Sequence, residues 1–372
     1  MRRKLRIAYF AHTLRSDWNN GNAHFLRGLM RAMGRMGHDV TVLEPESEWS
    51  IEHLRSEAQG EHSSRQFAET YADLKISTYR QDCPEPERCF RDRLRGMDVV
   101  ILHEWNSPEL AQMLLAIRQQ LGYKLLFHDT HHRASSSPEQ MQRFGLRRFD
   151  GIITFGEVLS DIYRDRFGVE RVWTLHEAAD TTVFKPHPEV QRQNEIVWVG
   201  NWGDDERTAE IREFLLRPAE TLRDVARTTI YGVRYPDAAL QALSSAGVEY
   251  GGYLPNLDTP LLYACAKATL HIPRQQYSEA MKGIPTIRVF EALACGVPLV
   301  SAPWEDSEEL FRAGDLRWAT NEAEMTAALR TLLTDEAAAQ DQALRGLETV
   351  LARHTCKHRA KELTDICEEV LV

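Results

Sequence analysis

The chain has 372 residues, with 45 lysines and arginines against 55 aspartates and glutamates, for a formal net charge of −10. That length suggests two or three domains, and that balance argues against nucleic-acid binding by bulk charge while leaving room for a local basic pocket facing a phosphorylated small molecule. Hydrophobic residues make up 43% and charged residues 27%, and no stretch approaches the roughly 18 consecutive apolar residues of a membrane span, so no integral membrane segment is expected. The N-terminal MRRKLRIAYF turns polar at His12 and Arg15, too soon for a secretory signal, which points to a cytoplasmic location. Cys83, Cys89, Cys265, Cys295, Cys356 and Cys367 form no CxxC pair, so they read as reduced thiols that mostly pack.

In chain order, short β-branched runs bounded by turns predict strands at Leu5–Phe10, Val40–Leu43, Val99–Leu102, Lys124–Phe127, Ile152–Phe155 and Val172–Leu175, with helical periodicity between most of them. Nearly all-apolar runs such as 98–102 belong to parallel sheets buried on both faces, joined by crossover helices. After the prolines at 186 and 188 a second series follows: Ile196–Val199, Thr228–Tyr231, Val248–Tyr250, Thr269–Ile272, Pro298–Ser301 and Leu316–Trp318. The expectation is an α/β protein with two Rossmann-like domains, 1–185 and 186–355, facing a central cleft, and a helical segment at 356–372. The polar region 49–95 gives no clear pattern.

The first strand leads into AHTLRSDWNNGNAHFLRGL and not into GxGxxG. Glu44, ending the second strand, therefore lacks the glycines that would make it a dehydrogenase's ribose carboxylate. In that loop Asn20, Gly21, Asn22 and His24 read either as a turn with a helix cap or as an open rim that meets an acceptor. The strand at 124–127 ends in His128-Asp129-Thr130-His131-His132-Arg133, which concentrates polar groups at a strand's carboxyl end. Consecutive histidines on extended backbone point to opposite sides, and neither His103-Glu104 nor His176-Glu177 extends to HExxH, so zinc is not expected. His128 reads either as a group that orients the acceptor or reacting sugar or as a hydrogen-bonded structural histidine.

Two stretches of the second half suit phosphate. In WVGNWGDDERTAEI, Gly200, Asn201 and Gly203 allow close backbone approach and Arg207 offers a two-pronged hydrogen-bond donor; the plain alternative is a turn capped by Asp204 or Asp205. In KGIPTIRVFEALACGVPLVSAPW, Pro285 and Thr286 start a helix that Gly296 stops. The free N–H groups at Thr286 and Ile287, with Lys282 and Arg288, suit a diphosphate. Glu291 lies on the same side as Arg288, placed either for both hydroxyls of a ribose or for a surface ion pair at i, i+3. Tyr253 and Leu254, in GGYLPN, flank a base or simply pack.

TIRVFEALACGVPLVS, with AADTTVFKP at 178–186 and the Gly21 loop, resembles the GT-B retaining glycosyltransferases of the family 4 type, and most of all their CgeB-like branch. The resemblance implies that Glu291, as the second Glu of a Glu-x7-Glu motif, binds the nucleotide ribose. The first Glu of that motif would fall at Gly283, with Glu279 a substitute from another position. It also implies a cation at Arg207, a final helix crossing back onto the N-terminal domain, and retention of anomeric configuration. No Asp-x-Asp is present, so the expected enzyme moves a sugar from a nucleotide diphosphate sugar without metal or resident cofactor. Arg207 and Lys282 would meet the leaving diphosphate, with His128 or Asp129 near the acceptor. The alternatives are a nucleotide-sugar epimerase of the same fold and a non-catalytic nucleotide-sugar-binding protein. Sugar, base, acceptor and oligomeric state stay open.

Overall fold

A computed structural model describes residues 3–80, 82–193, 195–203 and 206–372. The chain divides into two compact units, the first comprising Met1–Ser56, Ser64–Glu177 and Cys356–Val372, the second Glu57–Ser63 and Ala178–Thr355. The division thus falls at Glu177, eight residues before the sequence-derived boundary at 185, and residues 57–63 group with unit 2.

Among the described residues, unit 1 holds seven strands: β1 (Arg6–Phe10), β2 (Asp39–Pro45), β3 (Ile76–Tyr79), β4 (Val99–His103), β5 (Lys124–Asp129), β6 (Gly151–Thr154) and β7 (Val172–Thr174). All pair in parallel, in the order β3-β2-β1-β4-β5-β6-β7. Every residue of β4 is buried, as its unbroken apolar run demands of a strand covered on both faces. Helix α1 (Ala23–Arg35) follows β1, and α2 (Pro86–Leu94) starts on a proline whose fixed φ suits a first turn. The order reverses between β1 and β4, so the loops leaving those strands border the crevice where ligands of such sheets bind.

Unit 2 repeats the plan with β8 (Glu195–Val199), β9 (Arg227–Tyr231), β10 (Glu249–Tyr250), β11 (Ala268–His271), β12 (Leu299–Ser301) and β13 (Arg317–Trp318), all parallel in the order β10-β9-β8-β11-β12-β13. Ile196, Trp198, Ile230, Leu270 and Val300 form its sheet core with Ile211, Phe214 and Leu329 from the covering helices. Helix α3 (Ile287–Ala294) is buried except at Arg288, and Gly296, at φ +66°, provides the left-handed stop that a β-carbon would strain. Here the reversal lies between β8 and β11.

The last helix, α4 (Cys356–Val370), belongs to unit 1 and packs on α1. His38 links it to the sheet: its Nδ1 accepts the Leu5 N–H at 3.2 Å, so its Nε2–H faces the Thr364 hydroxyl at 3.2 Å. That hydroxyl donates in turn to the Ala360 carbonyl at 2.8 Å. Every strand read from the sequence is present, together with β3, which the reading of 49–95 missed. Among the described residues no helix is long and apolar enough to cross a membrane.

Candidate functional site

At the carboxyl end of β8 the chain turns through Gly200 and Gly203. A side chain on Gly200 would lie 2.7 Å from the Trp198 ring, and Gly203, at φ +83°, lies against the side chain of Arg207. Arg207 is almost fully buried over the Trp198 ring, 5.0 Å from its centre, and donates to the Ile272 carbonyl at 3.1 Å and to the Asn201 carbonyl. One guanidinium therefore fastens the loop after β8 to the end of β11. Burial, with the charges of Arg274 and Arg288, lowers its pKa to about 10, so it remains a cation at neutral pH. Asn201, expected to meet the donor, instead accepts the Val233 N–H at 2.9 Å through its side-chain oxygen and shapes the neighbouring loop. The capping alternative at Asp204 or Asp205 lies outside the described residues.

Helix α3 is preceded by its N-cap Thr286, whose side chain makes no capping hydrogen bond, and the positive end of its dipole suits an anion. One turn in, Glu291 is wholly buried; it accepts from Asn256 Nδ2 at 3.2 Å and pairs with Arg288. The ion pair is real, yet it is no surface pair, because its acid is enclosed. Arg274, just beyond β11 and paired with Glu206 at 2.5 Å, completes a group of three guanidiniums in which the charges of Arg274 and Arg288 reach Arg207. Sequence reasoning missed Arg274 and Asn256, which follow no periodic pattern and become neighbours of Arg207 and Glu291 only through the fold.

Lys282, expected to meet the diphosphate, lies at the surface. Its ammonium pairs with Glu305 at 3.1 Å, both side chains more than half exposed, and Arg274 takes the place assigned to it beside Arg207. Because an exposed pair contributes little, Lys282→Ala is expected to change nucleotide affinity by less than about twofold in calorimetry. Gly283 shows why the Glu-x7-Glu pattern breaks. Its φ is +97°, and any β-carbon there would run into the Ser307 hydroxyl. Glu279 is exposed on the turn Gln276–Ala280. Ile287 is buried in α3, Leu254 is half-buried, and the Tyr253 hydroxyl donates to Ser63 Oγ at 3.1 Å.

In unit 1 the loop after β1 closes over β2: buried Glu44 accepts the Leu14 N–H at 2.6 Å and pairs with Arg15, which leaves it no ribose role. The rim expected at 20–24 to meet an acceptor is tied into unit 1. His24 is fully buried in α1, Asn20 donates to the Thr13 carbonyl at 3.1 Å, and Asn22 donates to Thr130 Oγ1 at 2.8 Å. His128 and Asp129 are likewise interior groups. His128 is pushed down to about 3 by burial, so its ring is neutral, and it bonds the Tyr9 hydroxyl at 2.9 Å. Asp129 accepts from Tyr163 at 2.5 Å and from the His131 N–H at 2.9 Å.

A second set of groups stands at the ends of β1, β4 and β5. His12 stacks on His103 with ring centres 6.3 Å apart, His103 faces Thr130 at 3.0 Å, and Arg133 both pairs with buried Glu104 and lies 4.4 Å over the Trp105 ring. Burial raises the Glu104 carboxyl to about 8 against the pull of Arg133. Beside them opens a cavity of about 360 Å³ walled by His12, Tyr79, Arg80, Phe90, Trp105 and Asn106, with Glu48 and Glu109 at its edge. It sits outside the carboxyl ends of β1, β3 and β4. Among the described residues, no group of three or more His, Cys, Asp or Glu is arranged to hold a metal ion.

Two parallel sheets in Rossmann order, one with clustered cations and a buried carboxylate at its switch point and the other with an open pocket at its own, define a nucleotide-binding α/β class. Residues 19–183 match the family model described as Glycosyltransferase Family 4, and residues 207–365 the one described as Glycosyl transferase-like. The chain is a GT-B glycosyltransferase. Similar solved structures include Anabaena Alr3699/HepE in complex with UDP-glucose, at 12% identity over 98% of this chain and 100% of that one, with a TM-score of 0.72. A glycosyltransferase from Rickettsia africae ESF-5 is 10% identical over 100% and 99%, with a TM-score of 0.67. Sucrose-phosphate synthase from Thermosynechococcus elongatus is 13% identical over 99% of each chain, also at 0.67. No curated protein sequence matches the chain.

Proposed function

We propose that this glycosyltransferase, of the CgeB-like branch, uses unit 2 to bind a nucleotide diphosphate sugar and transfers the sugar with retention, without metal or resident cofactor, to an acceptor held by unit 1. The observation that carries the reading is the convergence of Arg207, Arg274 and Arg288 beside the enclosed Glu291, at the place where a doubly wound sheet binds its ligand. Glu291 would accept the ribose hydroxyls, while the guanidiniums and the start of α3 would face the diphosphate. As the bond between the sugar's anomeric carbon and the diphosphate oxygen breaks, negative charge grows on that oxygen, and fixed cations stabilise this state more than the ground state. The acceptor oxygen bonds to the same face, its proton passes to the departing phosphate, and no protein nucleophile takes part. The acceptor's place is the pocket by His12, Tyr79 and Trp105, in preference to the loop at 20–24.

Structures of Anabaena HepE hold UDP and UDP-glucose, which makes uridine diphosphate sugars the first donors to test. The expected result is transfer in excess EDTA to a product whose anomeric proton coupling, read early by NMR, matches that of the donor. An inverted linkage would overturn the same-face step, and a strict need for Mg²⁺ or Mn²⁺ would overturn the proposed phosphate site. Release of nucleotide that requires an acceptor separates transfer from epimerisation.

A further inference from the structure

Six cysteines without a CxxC pair look inert in the sequence, and Cys295, Cys356 and Cys367 are indeed buried. Cys83 and Cys89 differ. Cys83 is partly exposed ahead of α2 and Cys89 is exposed in its first half, yet their sulfurs lie 2.7 Å apart. Two sulfurs at that distance stand only about 0.7 Å beyond a disulfide bond. We propose that Cys83 and Cys89 form a dithiol modification site that a low-molecular-weight disulfide closes into an internal disulfide.

The step is ordinary exchange. The Cys83 thiolate attacks one sulfur of the small disulfide, whose other half leaves as a thiolate and takes a proton; Cys89 then attacks the Cys83 sulfur and expels the second half. Two protein thiols are oxidised by two electrons, the small disulfide is reduced to two thiols, and both protein protons end on those products. The contact with Cys83 raises the pKa of the Cys89 thiol, so the exchange starts at Cys83. The cavity gives the bond a consequence. Arg80 and Pro86, three residues to either side of Cys83, and Phe90, next to Cys89, all line it, so the closed form fixes one wall.

The test treats the full chain with glutathione disulfide, alkylates the remaining thiols and maps tryptic peptides. Trypsin cuts after Arg88, so the two cysteines fall on separate peptides. The expected result is a linked 83–89 peptide pair that dithiothreitol releases, with the other four cysteines alkylated. Cys83→Ser and Cys89→Ser are each expected to leave a stable glutathione adduct on the remaining partner. Free thiols at both positions, or adducts on the unsubstituted chain without the internal link, would overturn the site. The mapping is independent of turnover. A second measurement rests on the transferase reading: the oxidised chain should differ from the reduced one in acceptor KM with nucleotide affinity unchanged, and equal acceptor KM values would overturn the link to the pocket.

Discussion

Glu291→Ala is expected to weaken binding of free nucleoside diphosphate and of the nucleotide sugar by the same factor, roughly 10- to 100-fold in Kd. A hydrogen bond to a charged group contributes about 1.5–3 kcal/mol, and each 1.4 kcal/mol is tenfold. The equality of the two factors is the informative part. A carboxylate that meets only the ribose has no means of sensing whether a sugar is attached to the diphosphate. Glu291 is enclosed between Asn256 and Arg288, so its loss also removes a buried acceptor, and Glu291→Gln separates the two effects by keeping the shape without the charge. Calorimetry on variants with native circular dichroism makes the comparison. Unchanged affinity for the free nucleotide would remove Glu291 from the ribose site.

What the sequence makes legible follows from how much of the chemistry is local. Strands such as β4 and β5 announce themselves because both faces are buried, so each carries an unbroken apolar run, at 99–102 and 125–127. The edge strand β3 does not. All four of its residues are only partly buried, so Ile76–Tyr79 carries no continuous apolar signal inside a polar region. Glu291 and Arg288 are legible because helical spacing fixes their relation. Lys282 was drawn to the same site by nearness in sequence, but the turn at Gly283 separates it from α3, and it pairs with Glu305 at the surface. Arg274 went unseen for the converse reason: it reaches Arg207 only because β8 and β11 are neighbours in the sheet. In unit 1 the run 128–133 is polar at a strand end, as the sequence indicates. Its buried members serve the interior, while Trp105 and Arg133, from just beyond β4 and β5, reach toward the surface.

Arg207→Ala is expected to lower kcat on the order of 10²-fold while the donor KM changes less, by analogy with the loss of a fixed donor to a developing oxyanion. The charge it faces grows as the sugar leaves, so its stabilisation belongs chiefly to the transition state. Arg207→Lys is expected to recover only part of the rate. A lysine retains the cation but has no planar fork to bridge the Ile272 and Asn201 carbonyls together, and so it lets the end of the β8 loop drift from β11. Arg274→Ala provides the comparison, since Arg274 is partly exposed, paired with Glu206 and outside that bridge, and its loss should cost less in kcat. Thermal unfolding of each variant separates a loosened loop from a lost charge: a lysine variant with native Tm and alanine-like kcat makes orientation the decisive property, and one with native kcat makes charge alone sufficient. A change confined to KM in Arg207→Ala would reduce the residue to ground-state binding and leave the leaving-group charge to Arg288 and the start of α3.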